Sequence, residues 1–237
     1  MKSNYNSLQA RVEKRFHAGL YVMSNFTWDK SLDVGTFGPQ NQFNFASNYG
    51  NSDATRPWAW ISAFNWELPF GRGRMFANGM SRAADAVVGG WALSGIVNLE
   101  AGQYFTPTLS DASSLNSTIA LRPDRIGSGR VSNPDRFKWF NPADFVTPAP
   151  FVYGNSGRNI LEGPGFDSLD LSLAKAFAIT ERVHLEFKWD AFNALNHVNL
   201  ANPNASISPG VLNSPAGTIT GIVDFRRRMQ VGAHLTF

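Results

Sequence analysis

The sequence has no cysteine, little charge and no long apolar run, and each absence excludes a class of protein. None of the 237 residues is cysteine, which excludes disulfides, thiolate catalysis and cysteine-ligated zinc. Charged residues make up 16% of the chain, against about 25% in an ordinary soluble domain. No apolar run approaches the roughly 18 residues that a membrane-spanning helix requires.

Two further features limit the function and the expected extent of the chain. The formal net charge is only +3 and the basic residues are scattered, so the sequence does not indicate a nucleic-acid partner. Residues 1–20 lack the apolar segment and the small-residue cleavage site of a signal peptide. We therefore expect a chain without a signal peptide of its own.

Apolar and polar residues alternate in seven segments, and this pattern predicts seven β-strands. RMQVGAHLTF, for example, places Val231 and Leu235 on one side and Gln230 and His234 on the other. The other six segments are SLQARVEKRF, LYVMSNFTWDKSLD, WAWISAFNWELPFG, WALSGIVNLEAG, SLDLSLAKAF and RVHLEFKWDAF. Between the third and fourth strands, SRAADAVVGG predicts a short helix.

The connections between these strands alternate in length. The short joins HAG and AITE alternate with long segments rich in Asn, Ser, Pro and Gly at 34–57, 106–166 and 195–222. The segment 71–90 is intermediate and contains GRGR, which we interpret as a polar turn. This alternation predicts an antiparallel up-and-down sheet, with short turns at one end and long loops at the other.

Two features favour a transmembrane β-barrel segment of about seven strands, part of a larger barrel. Strands of about ten residues match the length that crosses a bilayer, whereas ordinary strands average five or six. Charges in mid-strand suit a wet lumen, and aromatic residues lie at both ends of the apolar faces. The upper aromatics are Trp28, Trp58, Trp60 and Trp189, and the lower ones are Phe16, Phe70, Trp91, Phe177 and Phe237. A soluble β-sandwich that binds carbohydrate through its aromatics is the alternative.

The longest loop contains the best candidates for ligand binding. Its segment LRPDRIGSGRVSNPDRFKWFNPADF mixes charged and aromatic residues, as recognition surfaces do. The candidates are Arg122, Asp124, Asp135, Arg136, Trp139, Phe140 and Asp144. The alternative is a loop that packs on itself and caps the barrel.

The sequence does not indicate an enzyme, a metal site or a cofactor. Its histidines are scattered over a turn, two strands and a loop, so no Ser-His-Asp arrangement is predicted. We interpret His184 and His234 as ordinary lumen residues. The run Arg226, Arg227 and Arg228 is interpreted as solvated charge at the upper rim, with a clasp for lipopolysaccharide phosphates as the alternative.

Several stretches, in order along nearly the whole chain, resemble the end of Oar-like TonB-dependent outer-membrane transporters. They are NYNSLQARVEKRF, FTWDKSLD, ELPFGRGR, GGWALSGIVNLEAGQYFT, GRNILEGPGFDSLDLSLAKAF and EFKWDAFNALNHVNLANPN. The resemblance implies a large barrel in the bacterial cell outer membrane, filled by an N-terminal plug. It also implies uptake of a nutrient, driven from the inner membrane through TonB.

By this resemblance, residues 1–237 are the C-terminal part of an outer-membrane barrel domain without its plug or signal peptide. The expected partners are outer-membrane lipid, the rest of the barrel, the barrel assembly machinery, and the TonB complex through the absent plug only. A terminal strand of alternating apolar residues also resembles the signal that the assembly machinery recognises. That signal consists here of Val231, Ala233, Leu235 and Phe237. A binding or adhesion barrel without active transport is the alternative.

Overall fold

The computed structural model describes residues 2–17, 19–35, 39–111, 121–180, 182–211, 214–224 and 226–237. In chain order, its strands are β1 (Asn4–His17), β2 (Leu20–Asp33), β3 (Gly50–Asn51), β4 (Trp58–Glu67), β5 (Trp91–Glu100), β6 (Tyr104–Phe105), β7 (Thr108–Leu109), β8 (Asp124–Arg125), β9 (Phe145–Val146), β10 (Leu161–Glu162), β11 (Phe166–Ala178), β12 (His184–Phe192), β13 (Ser206–Ile207) and β14 (Arg228–Thr236). The helix α1 spans Arg82–Val88, and short 3-10 helices span Phe45–Asn48 and Pro142–Asp144.

The seven long strands form one antiparallel sheet in the order β1-β2-β4-β5-β11-β12-β14, and β3 adds a short pairing to β2. Each long strand therefore lies beside its nearest long neighbours in the chain, as an up-and-down sheet requires. Each of the seven predicted strands is present, and the prediction of an antiparallel up-and-down sheet is confirmed. β1 and β14 occupy the two edges of this sheet.

The strand register keeps the apolar residues on one face across the whole sheet. Phe26 lies opposite Trp60 between β2 and β4. Leu173 lies opposite Leu93 on β5 and opposite Trp189 on β12. Because side chains alternate along a strand, a register shift of one residue would move every side chain of that strand to the opposite face of the sheet. The predicted apolar and polar faces are confirmed.

Among the described residues, no buried apolar core lies over the apolar face of the sheet. Leu8, Val12, Val231 and Leu235 each expose more than half of their surface. An apolar area that runs across a whole sheet is suited to lipid contact. A sandwich needs a second sheet packed on this face, whereas all the long strands in the described ranges belong to a single sheet. The sandwich alternative is therefore wrong.

The connections at one end of the sheet are short and locally stabilised. The β1–β2 turn contains Gly19 at φ +77°, where a Cβ atom would lie 2.7 Å from the Glu67 carbonyl oxygen. In the β11–β12 turn, the Thr180 hydroxyl accepts a backbone N–H bond from Val183 at 3.0 Å. The helix α1 in the β4–β5 connection begins after Ser81, whose hydroxyl caps it. The predicted helix is therefore present.

The long loops at the other end pack on one another, and we call their described parts within 34–57, 101–165 and 193–227 the loop cap. Three short ladders join its segments: β6 with β10, β8 with β9, and β7 with β13. Its buried apolar cluster consists of Phe105, Phe140, Phe145, Leu161, Ile207 and Ala216. Among the residues that the structure describes, the buried apolar core thus lies in the loops rather than in the sheet.

No helix in the described ranges is long and apolar enough to span a membrane.

Candidate functional site in the loop cap

The side chain of Arg158 joins two segments of the loop cap that are far apart in sequence. Its Nε donates to the Asn48 carbonyl at 3.0 Å and its Nη1 to the Asp53 carboxylate at 2.8 Å. Its Nη2 donates to the carbonyl and to the carboxylate of Asp33. Arg158 is only 7% exposed, so this cation is buried, and the carboxylates of Asp33 and Asp53 balance its charge. Sequence reasoning missed it because a lone arginine among Gly and Asn residues carries no pattern.

Asn159 forms a second link beside Arg158. Its side-chain amide donates to the Asn51 carbonyl at 2.8 Å and to the Asp53 carboxylate at 2.6 Å. Its backbone N–H donates to the Thr106 hydroxyl at 2.9 Å. Asn159 adopts φ 53°, a conformation that Asn tolerates better than most residues. Together, Arg158 and Asn159 hold the segment 34–57 and the beginning of the longest loop, at Thr106, against the later part of that loop.

Arg122, a predicted ligand-binding residue, is buried at 4% exposure. Its Nη2 donates to the Ser47 carbonyl at 3.1 Å, and its backbone N–H donates to the Gln40 side chain at 3.0 Å. Its Nε and Nη1 have no hydrogen-bond partner in the described part of the chain. Burial lowers the pKa of the Arg122 guanidinium, and the positive charge of Arg158 lowers it further.

Two predicted acidic residues hold the loop itself. The Asp124 carboxylate accepts the backbone N–H of Asn155 at 2.8 Å. The Asp144 carboxylate accepts the backbone N–H of Gly129 and the side-chain amide of Asn141, each at 2.7 Å. Short acidic side chains commonly stabilise turns in this way. Both carboxylates are therefore engaged within the loop, and their role in ligand binding stays a prediction.

Asp135 and Arg136 lie on an exposed turn of the same loop. The Asp135 carboxylate accepts the backbone N–H groups of Phe137 and Lys138, both at 2.8 Å. The Arg136 guanidinium lies over the Phe137 ring, 5.3 Å from its centroid. This turn is accessible to an external ligand, but it does not converge with the other candidates on a single cavity.

Phe140 and Trp139 connect the apolar cluster with a cavity. Phe140 is 1% exposed, and its ring centroid lies 5.7 Å from that of Phe105 and 6.0 Å from that of Phe145. The Trp139 ring packs against the same cluster, and its indole N–H donates to the Glu162 carbonyl at 2.8 Å. Phe140 therefore serves as core, whereas Trp139 lies between the core and the surface.

A cavity of about 370 Å³ lies beside Trp139. Tyr104, Arg130 and Glu162 line it together with Trp139 and Phe140. Tyr104 and Glu162 are opposite each other in the β6–β10 ladder. Among the seven predicted ligand-binding residues, this cavity brings together only Trp139 and Phe140.

Burial perturbs the two acidic groups of this cavity. It raises the pKa of the Glu162 carboxyl, against the backbone N–H of Gly102 and the Arg130 guanidinium, which lower it. Burial also raises the pKa of the Tyr104 hydroxyl, and the negative charge of Glu162 acts in the same direction. The cavity thus combines a guanidinium donor, a carboxyl group, a phenol and an indole face. This combination suits a small polar ligand that also has an apolar surface.

Sequence reasoning missed Tyr104, Arg130 and Glu162. Tyr104 and Glu162 lie on strands of two residues each, too short to leave a periodic signal. Their pairing brings together two segments that the sequence shows only as loops.

A second cavity, of about 280 Å³, lies on the polar face of the sheet. Its charged lining residues are Asp170, Asp224, Arg226 and Arg228. Arg227 is directed elsewhere, since its Nη1 donates to the Ala194 carbonyl at 3.3 Å. Two of the three consecutive arginines therefore line a lumen-side cavity of mixed charge, and all three remain exposed, as the interpretation of solvated charge expects.

Some of the other polar side chains of the sheet pair with one another or with the cap. Glu100 forms an ion pair with Arg56 of the cap at 2.8 Å, and Gln230 donates to the Asp190 carboxylate at 2.9 Å. His184 and His234 lie on the polar face of neighbouring strands. No group of three or more potential metal ligands occurs among the residues that the structure describes.

The predicted assembly residues lie along the lipid-facing side of β14. Val231 is opposite Trp189, and Ala233 and Leu235 follow on the same face. Phe237 lies one residue beyond the strand and is 94% exposed. Their recognition by the assembly machinery stays a prediction.

Comparison with known protein families gives a match that agrees with this architecture. Residues 1–230 match the family described as outer membrane beta barrel domain. A search of curated proteins finds no match. The family match covers nearly the whole chain, and the single sheet has the lipid-suited face and the long strands that such a barrel needs. The chain therefore belongs to the outer membrane beta barrel domain family and lies in the bacterial outer membrane, with short periplasmic turns and long extracellular loops.

Proposed function

We propose that this chain is part of a TonB-dependent barrel that takes up a nutrient across the outer membrane. In this proposal the loop cap captures the nutrient at the cell surface. The observation that carries it is the cavity lined by Tyr104, Arg130, Trp139 and Glu162, which lies in the extracellular loops. The ordered resemblance to Oar-like transporters along the sequence supports the same function.

The loop cap is suited to capture because the segments that form its cavity are held together before a ligand arrives. Arg158 and Asn159 join its segments through buried hydrogen bonds, and the apolar cluster around Phe140 supports the cavity wall. A preorganised site loses less conformational entropy when it binds. Function is commonly carried by loops held on a rigid scaffold in this way.

Active transport is the part of the proposal that depends on TonB. Energy would reach the barrel through a plug, and the polar sheet face with its lumen-side cavity offers charged groups of both signs to such a plug. Catalysis is not part of the proposed function. The cavity also suits a binding or adhesion barrel without transport, which is the second candidate.

Growth experiments distinguish these two candidates. A strain with the complete protein is compared with its deletion strain on a panel of nutrients, each supplied at a growth-limiting concentration. A growth advantage that disappears when TonB is deleted supports active uptake. An advantage in surface retention of a nutrient that persists without TonB supports the binding barrel instead.

Glu162→Gln and Arg130→Met are each expected to lower the initial uptake rate of the identified nutrient about tenfold or more. Each variant removes a charged hydrogen-bonding group from the cavity, and such bonds contribute about 1.5–3 kcal/mol. Lys138→Met is the matched control, because Lys138 is exposed on the same loop and does not line the cavity. Unchanged uptake in both cavity variants would contradict this site assignment.

Single cysteines test the topology, since the natural sequence contains none. Asn133→Cys and Ser208→Cys, in the long loops, are expected to react with a membrane-impermeant maleimide on intact cells that carry the complete protein. Thr180→Cys, in the β11–β12 turn, is expected to react only after the outer membrane is permeabilised. Equal labelling of all three variants on intact cells would overturn the assignment of the two ends.

A further inference from the structure

Helix α1 forms an apolar cleft with the lipid-facing side of the sheet. The cleft has a volume of about 570 Å³. Ala86 and Val87 line it from the helix, and Leu173, Phe177 and Phe187 line it from the sheet. The helix thus covers part of the barrel wall at the periplasmic end, where the connection between β4 and β5 lies.

Specific contacts fix the helix in this position. The Trp91 indole N–H donates to the Val87 carbonyl at 2.9 Å. The Lys175 ammonium, on the lipid-facing side, donates to the Gly89 carbonyl and lies 4.8 Å from the Phe177 ring centroid. Lys175 is only 6% exposed, because α1 and these rings cover it. A cation on the lipid-facing side is costly unless other groups cover it and bond to it. The contacts of Lys175 and Trp91 therefore hold α1 against the sheet and give the cleft a fixed shape.

A further cavity adjoins the apolar cleft, and we call it the basic cavity because arginines line it. It has a volume of about 430 Å³ and shares Ala86 and Phe177 with the cleft. Its lining includes the guanidinium-bearing residues Arg72, Arg74 and Arg82.

One carboxylate, that of Asp85, also lines this basic cavity. Its Oδ1 accepts the backbone N–H of Arg72 at 2.8 Å, so it helps to hold the turn that presents the arginines. Arg74 forms an ion pair with the Glu67 carboxylate at 2.9 Å, so the net positive charge of the lining rests on Arg72 and Arg82.

We propose that the apolar cleft and the adjoining basic cavity together bind one anionic phospholipid of the periplasmic leaflet. An acyl chain would occupy the cleft between α1 and the sheet, and the phosphate would contact Arg72 and Arg82 at the periplasmic rim.

The location and the chemistry favour this occupant. The cleft opens on the side of the sheet that faces hydrocarbon, where lipid acyl chains surround the barrel. Trp91 at its edge is a residue type that concentrates at the membrane interface, the level of the phosphate groups. Guanidinium groups bind phosphate through paired hydrogen bonds. The apolar cleft alone would accept any acyl chain, whereas the arginines select for negative charge.

Lipid titration of the purified complete protein tests this proposal. The protein is delipidated in a neutral detergent, and native mass spectrometry measures the binding of phosphatidylglycerol and of phosphatidylcholine with the same acyl chains. The wild-type protein is expected to bind phosphatidylglycerol at least tenfold more tightly. Arg72→Gln combined with Arg82→Gln is expected to remove this preference. Arg15→Gln is the control, because Arg15 lies on β1, is 83% exposed and lines neither cavity.

A second variant separates a lipid site from simple charge attraction. Ala86→Trp fills the apolar cleft and leaves the arginines in place, so it is expected to weaken the binding of both lipids at least tenfold. Heat-modifiable migration on gels verifies that each variant still forms the folded barrel. Equal binding of the two lipids to the wild-type protein would overturn the proposal. Unchanged binding by a folded Ala86→Trp protein would overturn it as well. Neither result depends on nutrient uptake.

Discussion

Phe140→Ala is expected to destabilise the loop cap by about 3–5 kcal/mol, the usual cost of truncating a buried aromatic side chain. Phe140 is 1% exposed and packs against Phe105 and Phe145 in the centre of the apolar cluster. The sheet does not use this residue, so the barrel is expected to remain inserted. Trypsin added to intact cells is expected to cleave the loops of the variant at least tenfold faster than those of the wild type.

Phe137→Ala is the matched control for this substitution. Phe137 lies three positions earlier on the same loop and is 73% exposed, so its truncation should change the cleavage rate less than twofold. If both variants are as resistant to trypsin as the wild type, the apolar cluster does not stabilise the cap. If Phe140→Ala prevents insertion altogether, the cap and the sheet are not separable units as described.

Arg158→Met is expected to open the loop cap between its first and longest segments. The substitution removes the guanidinium from the Asn48 carbonyl and from the Asp33 carboxylate, which keeps the backbone N–H of Gly35 at 2.8 Å. Breaking a buried ion pair from one side costs about 3–5 kcal/mol, and the partial exposure of Asp33 and Asp53 places the expected cost near 3 kcal/mol. Hydrogen exchange measured by mass spectrometry is expected to show faster exchange in both segments at once.

Two further variants define the interpretation of that result. Arg158→Lys is expected to behave like Arg158→Met, because an ammonium group cannot reproduce the fixed directions of the guanidinium donors. Arg125→Met is the control, since within the described residues the Arg125 side chain donates to the carbonyls of Gly127 and Ser128 in its own loop. Protection that persists in Arg158→Met would show that Arg158 is not the link between the two segments.

The strands could be predicted because the membrane imposes a strict alternation on them. Lipid on one side and polar groups on the other leave each strand residue a single suitable face, and this pattern survives in the sequence. Small differences remain at the ends. The third predicted strand, β4, ends at Glu67, before Pro69, because proline lacks the N–H group that a ladder requires. β11 begins at Phe166, slightly before the predicted start.

The loop cap could not be predicted, because its order rests on contacts between distant segments without periodicity. Arg158 and Asp33 are separated by 125 positions, and Gln40 and Gly154 by 114. Composition indicated a charged aromatic loop but did not distinguish acids that hold the loop, such as Asp144, from groups that line a cavity, such as Glu162. The alternative of a self-packed cap was recognised in the sequence, but the partners within it were not.

These distant contacts also determine when the extracellular surface can form. The β1–β2 hairpin closes through a tight turn at Gly19, so it can form locally and early. Arg158, by contrast, meets Asp33 at the end of β2 only after the intervening strands have been placed, and contacts of such high sequence separation form slowly. The surface that the environment encounters is therefore the last part of the molecule to mature, and an assembly intermediate stalled midway would not yet display it.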